Sequence, residues 1–82
     1  MKKDVDYYDG LPWRVIIDPE RQDDGRIIFV ASHPDFDGVL GTGKTPEAAL
    51  ADLRAARRSM IEALLEAGYP IPEPAVAPST VE

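Results

Sequence analysis

Between Thr45 and Gly68 the chain carries one long helix signal, and in a chain of 82 residues that signal decides most of the architecture. Thr45 offers its hydroxyl as an N-cap, Pro46 suits the first helical position, and Glu47 complements the positive end of the helix dipole. Gly68 supplies the stop, because glycine takes left-handed backbone without strain. The spacing predicts a helix over 46–67, roughly 33 Å long at 1.5 Å per residue. Ala49, Leu50, Leu53, Ala56, Met60, Ile61, Leu64 and Ala67 recur at intervals of three and four and make an apolar stripe. Arg54, Arg58, Glu62 and Glu66 step along another face, with Arg58 and Glu62 placed for an ion pair. A helix with one apolar stripe needs a second layer, and the remaining residues must supply it.

The segment upstream supplies strands. Residues 13–18 and 26–32 are rich in β-branched and aromatic side chains. Pro12 marks the entry to the first. Pro19 opens a loop over 19–25 that ends in Asp24-Gly25, a strong turn dipeptide, so the two strands should pair as an antiparallel hairpin. His33, Pro34, Asp35, Phe36, Asp37 and Gly38 form a second turn cluster, since Pro34 cannot donate to a ladder and Gly38 accepts positive φ. Residues 39–42 read as a short third strand. Residues 1–10 read as a loose entry segment from which Tyr7 or Tyr8 docks on the body. After Gly68 the prolines at 70, 72, 74 and 78 forbid helix and predict an extended, polyproline-like tail, with a short strand around Val76 and a C-terminal tail over 75–82. The expectation is a single domain over 1–82 of α+β class. A small antiparallel three- to four-stranded sheet packs on one long helix in the order β-β-β-α-β.

Composition narrows the chemistry. The chain has no cysteine, which excludes disulfides, thiolate catalysis and thiolate-ligated metals. Lys2 and Lys3 are not followed by an apolar run, so no secretory signal is expected, and the longest apolar stretch, 27–31, is too short to span a bilayer. A cytoplasmic location is the resulting expectation. The net charge of −6 and the lack of a basic patch argue against autonomous nucleic-acid binding and favour a basic partner. A domain this small buries little apolar surface alone, so a homodimer or larger homo-oligomer is expected.

Several residues suggest chemistry. Gly38 to Thr45 satisfies G-x-x-x-x-G-K-S/T, the Walker A pattern, in which backbone amides cradle phosphates beside a lysine, here Lys44. Pro46 forces Thr45 to be extended, whereas the helix of a phosphate loop grows directly from Gly-Lys-Thr. Val39 and Leu40 look like strand, and the several βαβ units of a nucleotide fold are missing, so no cofactor is expected. Asp35, Asp37, Asp23 and Asp24 read as turn caps rather than metal ligands. His33 is the only histidine and has no nucleophile placed with it, so it reads as a surface residue at a strand end. Trp13, Phe29 and Phe36 read as core or interface residues. No catalytic set emerges, and a non-enzymatic domain is expected.

The pieces together resemble the N-terminal domain of HicB-type antitoxins. The resemblance spans residues 11–74 and rests on the tandem strands, then Pro34-Asp35-Phe36-Asp37-Gly38, then Gly43-Lys44-Thr45-Pro46-Glu47-Ala48-Ala49-Leu50, then Gly68-Tyr69-Pro70-Ile71-Pro72-Glu73-Pro74. In the family these read approximately P-D/E-L-P-G-C, G-D-T-x-E-E-A-L and E-G-x-x-I-P-x-P. Here Val39 stands for the usual cysteine, Lys44 for the usual aspartate, and Asp37 where proline is common. The resemblance implies a partial RNase H-like fold in a standalone form that lacks the family's C-terminal DNA-binding domain, so no direct DNA binding is expected. It also implies a partner, a basic HicA-type mRNA-cleaving toxin whose active site the domain masks. The turn residues Pro34, Asp35, Asp37 and Gly38 are the expected partner contacts, since functional residues favour loops held on a rigid scaffold. The alternative is an orphan structural or regulatory oligomer without a toxin.

Overall fold

The computed structural model describes residues 2–74. In chain order the elements are α1 (Val5–Asp9), β1 (Ile16–Arg21), β2 (Ile27–His33), β3 (Phe36–Gly43) and α2 (Pro46–Ala67). The three strands form an antiparallel meander in the order β1-β2-β3, and α2 lies across one face. This is the expected α+β architecture of a three-stranded sheet on one long helix. The expected strand around Val76 and the tail over 75–82 lie outside the described residues.

α2 has the predicted limits because local chemistry sets both ends. The Thr45 hydroxyl accepts from the Ala48 amide at 3.0 Å, and Gly68 sits at φ 77° with its N–H returned to the carbonyls of Leu64 and Leu65. Ala49, Leu53 and Ile61 are fully buried, while Leu50, Ala56, Met60 and Leu64 pack at the edge of the core. Ala67, at the end of the expected stripe, is exposed. Arg58 does not pair with Glu62. It reaches Asp6 at 3.1 Å and Asp9 at 3.4 Å instead.

The sheet is shifted from the sequence reading at its first strand. β1 starts at Ile16, so Trp13 precedes it, and it continues through Pro19 to Arg21. Proline is tolerated there because β1 is an edge strand. The hairpin loop is correspondingly short, closed by Gln22 N–H to the Arg26 carbonyl at 2.7 Å and Gly25 N–H to the Gln22 carbonyl at 2.9 Å. Asp24 caps this turn by accepting from the Arg26 amide at 3.0 Å. β3 begins at Phe36, so only Pro34 and Asp35 form the turn proper.

Register assigns the two faces. Ile17 opposite Ala31, and Ala31 opposite Gly41, point toward α2 with Phe29, His33, Phe36 and Val39. Ile16, Ser32 and Leu40 align on the other face with Ile28, Val30 and Thr42. That face carries no second layer among the described residues, leaving Ile16 and Leu40 exposed.

The helix rides unusually close to β3. A Cβ on Gly41 would meet the Leu53 amide nitrogen, the Ala49 carbonyl and, at 2.6 Å, the Leu53 Cα. A Cβ on Gly43 would lie 2.6 Å from both the Ala48 Cβ and the Ala49 nitrogen. These two glycines let backbone pack on backbone.

The segment read as a loose entry is instead an ordered short helix. Asp4 caps α1 by accepting from the Tyr7 amide at 3.0 Å. Long-range contacts fix it: Arg57 and Arg58 of α2 bind Asp9 and Asp6, and Lys3 pairs with Glu73 at 3.1 Å. Of the two tyrosines, Tyr8 packs on the core, and Tyr7 donates its hydroxyl to Glu73 at 3.3 Å.

Candidate functional site

Pro34 and Asp35 turn the chain from β2 into β3, and the register slips between Ser32 and His33 to make room for that turn. Asp35 is held in place rather than displayed. Arg14 grips it with two parallel bonds, Nη2 to Oδ1 at 2.7 Å and Nε to Oδ2 at 3.0 Å, leaving the carboxylate side chain only 12 % exposed. Phe36 turns inward, is buried, and stacks on Trp13 with ring centroids 5.2 Å apart. Trp13 in turn donates its indole N–H to the Tyr8 carbonyl at 2.8 Å. Asp37 and Gly38 are exposed, and Gly38 adopts φ +85°.

The turn forms one wall of an open cleft of about 350 Å³. Pro34, Asp35, Phe36 and Asp37 line it from the turn, Met60 and Leu64 from α2, and Pro72 from the segment after α2. Three of the four expected contact residues, Pro34, Asp35 and Asp37, thus share one cleft. Gly38 lies beside it: a Cβ there would stand 4.0 Å from the Met60 Cε. Sequence reasoning missed Met60, Leu64 and Pro72 as site residues. Met60 and Leu64 read as part of the apolar stripe of α2 and Pro72 as part of the extended tail, and only the packing around the turn brings them together as lining of a groove.

His33 corrects the expectation of a surface residue. It is 4 % exposed and bonded at both ring nitrogens. Nδ1 donates to the Arg14 carbonyl at 2.7 Å, so Nε2 is the acceptor for the Arg57 guanidinium at 3.2 Å, and the ring is neutral. Arg57 also donates to Asp9 at 2.9 Å. The chain of bonds therefore links the turn's supporting loop, β2, α2 and α1. Burial pushes the His33 pKa below its ordinary 6.5. The hydrogen bond to the Arg14 carbonyl opposes that shift, the Arg57 charge reinforces it, and Asp35 opposes it.

The Walker-like segment has a packing explanation. Residues 38–43 lie in β3, not in a phosphate-cradling loop. Its glycines at 41 and 43 serve helix approach, and Thr45 serves as the cap of α2. The Thr42 amide, which a phosphate would need, is taken by the Asp52 carboxylate at 2.9 Å, and that carboxylate would repel an anion. Lys44 is exposed. No helix among the described residues is long and apolar enough to cross a membrane, and no three of their His, Asp or Glu side chains gather as a metal site. No known family, curated protein or solved structure matches this chain.

Proposed function

We propose that this chain is a binding module of the HicB-like antitoxin kind, with a partial RNase H-like architecture. It acts in the cytoplasm without chemistry of its own, and it covers the active site of a small basic HicA-type toxin. The observation that supports this reading is the pairing of rigidity and display at the turn. Asp35 is clamped by Arg14 while Asp37 is presented to solvent on the rim of an apolar cleft. A chain of net charge −6 draws a basic partner toward that rim, and the cleft gives it something to bury. Co-expression tests the reading. A HicA-type toxin encoded beside this chain should be neutralised, and Asp37→Lys should weaken neutralisation without unfolding the domain. Growth arrest that persists in the presence of the folded wild-type chain would refute the antitoxin role.

A second reading, a homo-oligomer without a toxin, is favoured by the open sheet face, where Leu40 is 58 % and Ile16 45 % exposed. Under that reading sedimentation gives an oligomer that Leu40→Glu dissociates.

A further inference from the structure

The geometry points to the occupant of the cleft: a protein segment that places a large apolar side chain between Phe36, Met60 and Leu64 and a lysine or arginine on Asp37. This inference rests on the proposed site but not on the identity of the toxin. The cleft offers no convergent set of buried donors and acceptors such as a polar metabolite needs. Its apolar lining is Phe36, held by its stack on Trp13, with the Pro34 and Pro72 rings and the two helix side chains Met60 and Leu64 one turn apart. About 350 Å³ accepts a leucine- or phenylalanine-sized group.

The charge pattern specifies the neighbour of that group. Of the two carboxylates on the rim, Asp35 already holds Arg14 in a bidentate pair. Asp37 is exposed and makes no hydrogen bond or ion pair with any described residue. It is therefore the rim group ready for an incoming cation. The wall is also preorganised. Proline rings lose no side-chain freedom on binding, Phe36 is buried, and Asp35 is fixed, so little ordering cost remains. Met60 is the adaptable element, since an unbranched thioether can reshape around different apolar guests. The net charge of −6 steers basic sequences toward the cleft and disfavours an anionic lipid surface.

Selection from a random peptide library displayed on phage tests this, with the folded wild-type chain as bait and depletion on Leu64→Glu. Enriched peptides should carry Lys or Arg within a few positions of Leu, Ile, Phe or Met. A synthetic copy of such a peptide, followed by fluorescence anisotropy, should bind Leu64→Glu at least about tenfold more weakly. Asp37→Lys, at an exposed position that does not threaten folding, should weaken it several-fold and flatten its salt dependence. Failure to enrich any peptide, or peptides that bind both variants as tightly as wild type, would overturn the inference. So would a wild-type dimer that Leu64→Glu dissolves, because a second copy of the chain would then be the occupant. If the peptides bind as described but no HicA-type toxin is neutralised, the cleft assignment stands and the toxin reading falls.

Discussion

Replacing Gly41 with alanine adds one methyl group at a place where the backbone of α2 leaves no room for it. The new Cβ would meet the Leu53 amide nitrogen, the Ala49 carbonyl and, at 2.6 Å, the Leu53 Cα. None of these atoms can rotate away, as the end of a side chain could. The helix must retreat by about 1 Å to restore ordinary contact, and a gap of 0.5–1 Å forfeits roughly a quarter to a half of each dispersion contact it opens. The contacts at stake are those of Ala49 and Leu53 with Ala31 and Val39, the most buried part of the domain. Overpacking of this severity costs about 3 kcal/mol or more. A chain of 82 residues is stable by about 4–12 kcal/mol in total, so the loss is a large share. Gly25→Ala is the internal control. Gly25 sits at φ +86° with nothing within 4 Å of a Cβ, so it isolates backbone strain, about 1–2 kcal/mol. With a urea slope near 1 kcal/mol per molar, the midpoint should fall by about 3 M for Gly41→Ala and by about 1–2 M for Gly25→Ala. A Gly41→Ala midpoint equal to or above that of wild type would refute the claim that this glycine exists for helix approach.

Leu53→Ala should cost about 2–5 kcal/mol in the same urea titration, because Leu53 is fully buried against the sheet; a cost below about 1 kcal/mol would contradict its place in the core. The His33 pKa is lowered on folding, so the folded state binds fewer protons than the unfolded one near neutrality. Stability from this group is complete above pH 6.5 and declines as pH falls from there through the lowered folded value. Chemical denaturation between pH 7.5 and about 5 should show that decline in wild type and a flatter profile in His33→Gln; equal slopes would show that His33 is not the titrating group. Lys44 is exposed, so Lys44→Ala should leave stability within about 0.5 kcal/mol, and calorimetry should find no ATP or GTP binding to wild type. Micromolar nucleotide affinity abolished by that substitution would overturn the reading of β3 as an ordinary strand.

The parts of this fold legible in the sequence are those fixed by local chemistry. α2 has its predicted ends because a cap, a proline and a left-handed glycine act within a few residues of themselves. The strands were legible as strands, but their limits were not, because an aromatic such as Trp13 suits both a pleated surface and a core plug. Its role is set by the Tyr8 carbonyl and the Phe36 ring, neither visible from its neighbours. α1 was illegible for the same reason. Five polar-rich residues make no stable helix alone, and theirs is held by Arg57 and Arg58 some 50 positions downstream. His33 read as a surface residue because its burial depends on partners at Arg14 and Arg57. At the candidate site the turn residues stood out by composition, whereas Met60, Leu64 and Pro72 joined them only through packing.

The two edges of the sheet bear on how such a domain meets other chains. An edge strand exposes unpaired amides that invite pairing with another chain, and natural proteins blunt them. β1 carries Pro19, which has no N–H to offer a further strand. On β3 the outward Thr42 N–H is already bonded to Asp52, a side chain that α2 lowers over that edge. Strand addition is thus opposed at Pro19 on one edge and at Thr42 on the other. What the sheet does leave uncovered is a face, with Ile16, Ile28, Val30 and Leu40 around Ser32. That surface and the cleft beside Asp37 lie on different parts of the domain, since the cleft is built by α2 and the open face is opposite it. Self-association through the face therefore leaves the cleft accessible. A homo-oligomer and a partner-binding module are then compatible states of one molecule, separable by Leu40→Glu and Leu64→Glu.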